Sequence, residues 1–252
     1  RLEHEAGVLR QIHNPSIAPL LHLDRQDNQL FLVVPFIPGT TLEARLKRGA
    51  LSVRDTLTLG RQLMSALQEA HDHGVLHRDV KPANIVVNDE SPVHRATLID
   101  FGLARSARLE AAIRDLPVGT PRYMSPEQAG LLDLDVDECS DLYSAGVLLF
   151  ECLAGHPPFC GESVGEVLRQ QMTVRPPDLR SLGLNVPRSL DEVIQRVQVH
   201  VGEELARQVA DREPAAAAQR CEQIVAWEVR DCAKTQARSL CHHSLPARGG
   251  GT

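Results

Sequence analysis

Two short polar stretches of the sequence enclose a pair of apolar segments. The first stretch is His77–Asn84, which reads H-R-D-V-K-P-A-N, and the second is Asp100–Gly102, which reads D-F-G. Between them, the apolar segments 85–87 and 97–99 flank a polar turn, and this pattern predicts an antiparallel hairpin. A hairpin returns the chain to the end from which it started. We therefore expect the two polar stretches to lie close together.

The two stretches carry the side chains that phosphoryl transfer to an alcohol requires. A carboxylate must orient the alcohol and accept its proton, a cation must lie near the transferred group, and oxygen ligands must hold Mg²⁺. Asp79 fits the base and Lys81 fits the cation. Asn84 and Asp100 fit the metal ligands. Each residue alone is an ordinary turn former or a solvated charge, so the hypothesis depends on the whole set at these spacings.

Composition is typical of a soluble globular protein. Of the 252 residues, 42% are hydrophobic and 24% are charged, and the formal net charge is −6. The negative charge gives no support for a nucleic-acid partner, and no apolar run approaches the roughly 20 residues of a membrane-spanning helix. The six cysteines contain no C-x-x-C pair, which favours reduced thiols. We expect a cytoplasmic location, although the full-length protein could be membrane-anchored through parts not present in this sequence.

The remaining pattern predicts a small mixed part followed by a mainly helical part. Residues 1–13 have the apolar spacing of an amphipathic helix, and the runs 17–23 and 30–36 predict another hairpin. Further helices are expected at 42–46, from Ser52 to Gly74, from Asp141 to Leu153, at about 163–172 and at about 189–199.

The polar stretches resemble motifs of the eukaryotic-type protein kinase family, in the form found in bacterial serine/threonine kinases. The first matches the catalytic-loop pattern H-R-D-x-K-P-x-N, and the second matches D-F-G. The segment 119–128, which reads G-T-P-R-Y-M-S-P-E-Q, resembles the segment that bacterial members place before a buried helix, and Asp141 matches the start of that helix. The resemblance covers roughly residues 1–197 and implies an α+β, protein-kinase-like fold.

The resemblance implies three parts in the chain. Residues 1–36 would form a partial N-lobe, 37–197 a C-lobe, and 198–252 a divergent tail. The family places a glycine-rich loop and an ATP-binding lysine before the helix predicted at 1–13, and neither G-x-G-x-x-G nor V-A-I-K occurs in the sequence. We therefore expect an N-terminally truncated kinase that is inactive or nearly so as this polypeptide alone, within an active full-length protein.

The resemblance also implies an ATP site. Val34 would be the gatekeeper beside the adenine, and Val86 would form the floor of the adenine pocket. Pro35 and Ile37 would be the hinge that hydrogen-bonds the adenine. Lys81 and Asp100 would contact the phosphates, Asp100 through Mg²⁺. Thr120 would join the catalytic set by bonding to Asp79 and Lys81.

A further implied set is structural or regulatory. Glu5 would pair with the ATP-binding lysine of the family. The family arginine at the position of Arg78 often pairs with a phosphorylated loop residue, but residues 107–119 contain no hydroxyl, so we expect activation that does not depend on phosphorylation of this loop. Glu127 pairs in the family with the arginine of a D-P-x-x-R pattern, and the sequence offers no such partner after residue 197. The spine that links the lobes would consist of Leu9, Leu20, His77 and Phe101. The remaining members of this set are Gly102 and Asp141.

Three functions remain open from the sequence. The leading hypothesis is a kinase that transfers the γ-phosphoryl group of Mg-ATP to a protein Ser or Thr hydroxyl. The second is a non-catalytic pseudokinase or scaffold; against it, Asp79, Asn84 and Asp100 are all present. The third is a kinase-fold enzyme acting on small molecules, which Lys81, Thr120 and the S-P-E segment argue against.

Overall fold

A computed structural model describes residues 2–26, 29–101, 121–131 and 135–198. Residues 2–33 hold one helix and a two-stranded sheet. The described residues from 40 onward hold a three-stranded sheet and the other helices. In chain order the elements are α1 (Leu2–Leu9), β1 (His22–Gln26), β2 (Gln29–Val33), β3 (Thr40–Thr41), α2 (Leu42–Leu46), α3 (Val53–Asp72), a 3₁₀ turn (Pro82–Asn84), β4 (Ile85–Val87), β5 (Ala96–Leu98), α4 (Glu138–Ala154), α5 (Val164–Thr173) and α6 (188–198).

The first hairpin is shorter than the apolar pattern predicted: its first strand starts at residue 22 instead of 17, and its second strand ends at residue 33 instead of 36. β1 pairs antiparallel with β2, with Leu23 opposite Leu32, but the predicted strand 17–23 was wrong at its start. Ile17 forms a parallel bridge with Leu98 of β5, and Ala18 N–H donates to Leu98 O at 2.9 Å. The apolar side chains of 17 and 18 are therefore buried against the second sheet instead of extending the hairpin.

The second sheet has the order β3-β4-β5, and the two-residue strand β3 was not predicted. Thr41 pairs with Val86, and Thr40 pairs with Val87. The chain enters β3 through Gly39, whose φ is +134°, and a Cβ atom there would lie 2.1 Å from Val87 O. Glycine is thus required where the linker after β2 crosses β4.

The long helices begin at side-chain caps. Ser52 Oγ accepts a hydrogen bond from Asp55 N–H at 3.1 Å, which confirms the predicted start of α3. The predicted start of α4 at Asp141 was wrong: Asp137 is the N-cap, accepting from Cys139 N–H at 2.9 Å, and Asp141 lies in the first turn. The capping carboxylate satisfies an N-terminal backbone donor, so the helix starts one turn earlier.

Helix α4 is buried on nearly every side, as its all-round apolar sequence predicted. It packs against α3 at Gly60, where an added Cβ atom would lie 3.3 Å from Leu149 Cδ2. One hydrophobic core extends from Leu9 of α1 to Ile194 of α6. Within the described residues, no helix is both long and apolar enough to cross a membrane.

Candidate active site

The hairpin β4–β5 brings the two polar stretches together, as predicted. Ile85 pairs with Leu98, and Ile99 N–H donates to Asn84 O at 2.9 Å. Asn84 therefore ends one stretch directly beside the start of the other, at Asp100. Asp100 has a φ of +56°, a left-handed backbone that is uncommon for a residue with a side chain.

The Asp79 carboxylate is held by two donors from its own stretch. Asn84 Nδ2 donates to Asp79 Oδ2 at 3.0 Å and to Asp79 O at 2.8 Å. Lys81 Nζ lies 2.8 Å from the same Oδ2 atom. The side chains of Lys81 and Asp79 keep exposed fractions of 20% and 15%, so a ligand can reach the pair. The arrangement fixes a carboxylate beside a cation at an open surface.

His77 is a neutral ring that joins the stretch His77–Asn84 to Ile99. Its Nε2 lies 3.0 Å from Ile99 O and its Nδ1 lies 3.2 Å from Asp79 N–H, so Nε2 carries the proton and Nδ1 accepts. Complete burial lowers the pKa of His77, which favours the same neutral form. The ring lies 4.7 Å from that of Phe101, centroid to centroid. Phe101 in turn packs against the core that contains Leu9 and Leu20, the other two predicted spine residues.

Asp141 joins helix α4 to the backbone of the first stretch. Its carboxylate accepts hydrogen bonds from His77 N–H at 2.8 Å and from Arg78 N–H at 2.7 Å. It also lies 2.9 Å from His71 Nε2. Burial by itself would raise the pKa of Asp141, but the hydrogen bonds and charge of its partners hold that pKa below its ordinary value.

His71 was not predicted as part of this support. It lies on α3, four residues after Leu67 in the apolar stripe, and is 8% exposed. A polar residue at a core position of an amphipathic helix was the available signal, because such a side chain needs a buried partner. The sequence did not indicate which partner it has.

Arg78 itself has an unusual backbone. Its φ is +62°, and the left-handed region costs a residue with a Cβ atom roughly 1–2 kcal/mol. The hydrogen bond from its N–H to Asp141 helps to offset this strain. The strained residue directly precedes Asp79, so the position of the carboxylate depends on contacts outside its own loop.

The segment 121–131 packs beside these residues through buried polar contacts. Tyr123 OH donates to Glu151 Oε2, and Ser144 Oγ donates to Tyr123 O at 2.6 Å. Glu127, which lacked a partner in the sequence, accepts a hydrogen bond at Oε1 from Ser140 Oγ. Its Oε2 atom is buried and has no hydrogen-bond partner among the described residues.

A cavity of about 450 Å³ opens between this segment and Lys81. Both signs of charge line it, so the cavity has no single preferred ligand charge. Its charged lining residues are Glu43, Lys47, Lys81, Arg122 and Glu151. Lys81, which lines this cavity, lies 2.8 Å from the carboxylate of Asp79.

The residues predicted to contact adenine lie on β4 and on the linker between β2 and β3. Val86 is 7% exposed on β4, and an added Cβ atom at Gly39 would lie 3.1 Å from its Cγ1 atom. The linker that carries Val34, Pro35 and Ile37 therefore leads to Val86. Val34 is 44% exposed, while Pro35 and Ile37 are partly exposed.

Several predicted residues lie outside the described part of the chain. Gly102 and Thr120 lie between residues 101 and 121, outside the residues that the structure describes, and so does the side chain of Glu5. The predicted tail, 198–252, is described only at residue 198.

The oxygen donors at the hairpin end fit a hard divalent cation. Because Asn84 Nδ2 is directed at Asp79, its Oδ1 atom faces the other way. Asp100 is exposed and lies two residues after the end of β5. An amide oxygen and a carboxylate are ligands that Mg²⁺ accepts. No group of three or more His, Cys, Asp or Glu side chains that could hold a metal ion occurs within the described residues.

Comparison with known proteins connects this geometry to a family. The family described as "Protein kinase domain" matches residues 1–226. The chain is 33% identical over 198 residues to the probable serine/threonine-protein kinase CPE1738 of Clostridium perfringens, covering 78% of this chain and 28% of that protein. It is 34% identical over 196 residues to the serine/threonine-protein kinase PknL of Mycobacterium tuberculosis, covering 77% of this chain and 48% of that protein.

The chain is also 33% identical over 199 residues to the serine/threonine-protein kinase PknH of Mycobacterium tuberculosis, covering 78% of this chain and 31% of that protein. The chain thus spans less than half the length of these curated relatives. Among solved structures, a crystal structure of Rad53 1–466 in complex with AMP-PNP superposes with a TM-score of 0.64 at 22% identity. That superposition covers 78% of this chain and 49% of the other, and it shows the fold.

Proposed function

The chain belongs to the protein kinase domain family, and on that premise we propose that the full-length protein transfers the γ-phosphoryl group of ATP to a Ser or Thr hydroxyl of a protein. The relatives of about one-third identity bear the name serine/threonine-protein kinase. The observation that carries the proposal is the Asp79 carboxylate, fixed by Asn84 and Lys81 at an open surface.

In this proposal Asp79 orients the attacking hydroxyl and accepts its proton. Lys81, 2.8 Å from the same carboxylate, lies where a cation can stabilise the charge of the transferred phosphoryl group. The two charges fix each other's position, so the alcohol and the phosphoryl group meet preorganised partners. General acid–base catalysis of this kind contributes roughly 10²–10⁴-fold to a rate.

In this proposal Asn84 Oδ1 and the carboxylate of Asp100 would hold Mg²⁺, which would neutralise negative charge on the ATP phosphates. Asn84 has a second role, because its Nδ2 atom holds Asp79. An Asn84 substitution therefore affects both the metal ligand and the base. Val86 and the linker from Val34 to Ile37 supply the apolar surface and backbone groups for the adenine.

A transfer assay on the full-length protein tests the proposal. The protein is incubated with Mg²⁺ and γ-labelled ATP and a mixed Ser/Thr/Tyr peptide library, and the labelled amino acid is identified after hydrolysis. We expect label on Ser or Thr, and its loss in Asp79→Asn. The matched control is Asp89→Asn, an exposed aspartate in the turn of the β4–β5 hairpin, which should keep its activity. No transfer by the wild type, or transfer that survives Asp79→Asn, would refute the proposal.

A further inference from the structure

We infer that Gln128 is a positioning residue for Asp79 and acts through the peptide group between Arg78 and Asp79; the inference rests on the kinase function proposed above. Gln128 lies in the turn that follows Ser125, and it is 6% exposed. Its Nε2 atom donates to Arg78 O at 3.3 Å, across the interface between this turn and the first polar stretch. The contact joins two segments that are far apart in sequence.

The orientation of the Gln128 amide follows from its other contact. Oε1 accepts a hydrogen bond from Ser125 N–H at 3.2 Å, so the amide nitrogen is the atom that faces Arg78 O. If the amide were reversed, two donors would face each other at Ser125 and two acceptors at Arg78. The side chain therefore has one satisfied orientation, and in that orientation it bridges Ser125 and Arg78.

The bridged carbonyl belongs to the peptide group that precedes the base. Arg78 O and Asp79 N–H are the two ends of one planar unit. Asp79 N–H donates to His77 Nδ1 at 3.2 Å, and Gln128 donates to Arg78 O. With a hydrogen bond at each end, this plane resists rotation, and its rotation would swing the Cα–Cβ bond of Asp79.

The plane needs such support because Arg78 is strained. Its φ of +62° lies in the left-handed region, and conformations of this kind persist where surrounding contacts over-determine them. Asp141 holds the N–H of Arg78 at 2.7 Å, and Gln128 holds its carbonyl. Both peptide groups of the strained residue are thus held by side chains from outside the loop.

Gln128 also connects the peptide group that precedes Asp79 to the segment that lines the cavity beside Lys81. Tyr123, five residues earlier in the same segment, lines the 450 Å³ cavity beside Lys81. The segment that lines the cavity and the peptide group that carries the base therefore share a hydrogen-bonded link. A shift of about 1 Å at a reacting group can cost on the order of 10²-fold in rate, so one such link is enough to matter.

Two substitutions separate positioning from packing. Gln128→Met keeps the volume and removes both hydrogen bonds, and it leaves little room for a substitute water. Gln128→Glu keeps the acceptor toward Ser125 N–H but places a carboxylate oxygen against Arg78 O. If the Ser125 contact were the important one, Gln128→Glu would behave as wild type; if the Arg78 contact positions Asp79, both variants lose activity.

Gln171 provides the matched control. Its Nε2 atom donates to Pro121 O at 3.1 Å and to Arg122 O at 3.3 Å, so Gln171→Met removes the same kind of amide-to-carbonyl bond from the same segment. These bonds do not reach the first polar stretch. Steady-state kinetics on the full-length protein should give a kcat lower by roughly 10- to 100-fold in both Gln128 variants. The KM for ATP should stay within about twofold, and Gln171→Met should keep kcat within about threefold of wild type.

The hydrogen-exchange rate of the Asp79 amide tests the same inference without an activity assay. The Asp79 amide should exchange faster in Gln128→Met and at the wild-type rate in Gln171→Met. Unchanged Asp79 exchange, a wild-type kcat in the Gln128 variants, or an equal loss of kcat in Gln171→Met overturns the inference. A wild-type protein without Asp79-dependent transfer would refute the proposed function instead, and the exchange rates would still decide whether Gln128 holds this peptide group.

Discussion

Replacing Asp141 with asparagine is expected to lower the free energy of unfolding by about 3–5 kcal/mol, although the side chain keeps its shape. The carboxylate is 1% exposed and receives three donors: the N–H groups of His77 and Arg78, and Nε2 of His71. An asparagine amide offers one oxygen and one NH₂ group. Whichever way it turns, the NH₂ group faces at least one of these donors.

The expected magnitude follows from the less costly orientation. Among the described residues, Oδ2 receives two donors and Oδ1 receives Arg78 N–H alone, so the NH₂ group is best placed at Oδ1. That choice removes one hydrogen bond to a charged acceptor, worth about 1.5–3 kcal/mol, and leaves Arg78 N–H unsatisfied at a cost of about 1–3 kcal/mol. The bonds at Oδ2 weaken because their acceptor becomes neutral, while relief from burying a charge offsets part of the loss.

The assay is urea denaturation followed by far-ultraviolet circular dichroism, with Asp137→Asn as the control. Asp137 caps the same helix and accepts from Cys139 N–H, and asparagine is as good an N-cap as aspartate. Burial raises the pKa of Asp137 to about 6, so its ionisation at neutral pH disfavours the fold and its replacement should be neutral or stabilising there. If Asp141→Asn lowers the free energy of unfolding by less than about 1 kcal/mol, or if Asp137→Asn lowers it equally, the three hydrogen bonds to Asp141 do not anchor the stretch His77–Asn84.

Two further outcomes concern the helical part and use the same denaturation assay. Gly146→Ala should destabilise the protein by about 1–3 kcal/mol, because its Cβ atom would lie 2.9 Å from Val197 Cγ1. Gly165→Ala should stabilise it by about 0.5–1 kcal/mol, because no atom of the described residues lies within 4 Å of the new Cβ atom. Equal effects of the two substitutions would contradict the packing of α6 on α4. Burial and a hydrogen bond with Asp178 raise the pKa of Asp191 to about 6, so the folded protein retains a proton that the unfolded chain has lost and stability should fall as the pH rises from about 4 to 6. Asp137 contributes to the same slope, so Asp191→Asn should reduce the slope without abolishing it, and an unchanged slope would show that Asp191 does not titrate in this range.

The convergence of the candidate site could be predicted from the sequence because it depends on local signals. A turn between two short apolar segments is enough to bring Asn84 and Asp100 to the same end of a hairpin. The start of α3 at Ser52 was equally local, since a serine before an amphipathic run satisfies a backbone donor within three residues.

Contacts made by distant residues could not be predicted in the same way. The apolar residues Ile17 and Ala18 have the pattern of a hairpin strand, and nothing local indicates that they bridge to β5. The two-residue strand β3 is too short to have a period. Gln128 was visible within the S-P-E-Q segment, but its hydrogen bond to Arg78 exists only once the two segments are packed together.

The rate of a single phosphoryl transfer in Asp79→Asn tests the central claim most directly. The full-length protein is saturated with Mg-ATP, a phosphorylatable Ser/Thr peptide is added in rapid mixing, and nucleotide affinity is measured separately on the same preparation. If the carboxylate held by Asn84 and Lys81 is the base, the transfer rate falls by roughly 10²–10⁴-fold while ATP affinity stays within a few-fold of wild type. A transfer rate equal to that of the wild type at equal ATP saturation would contradict the account.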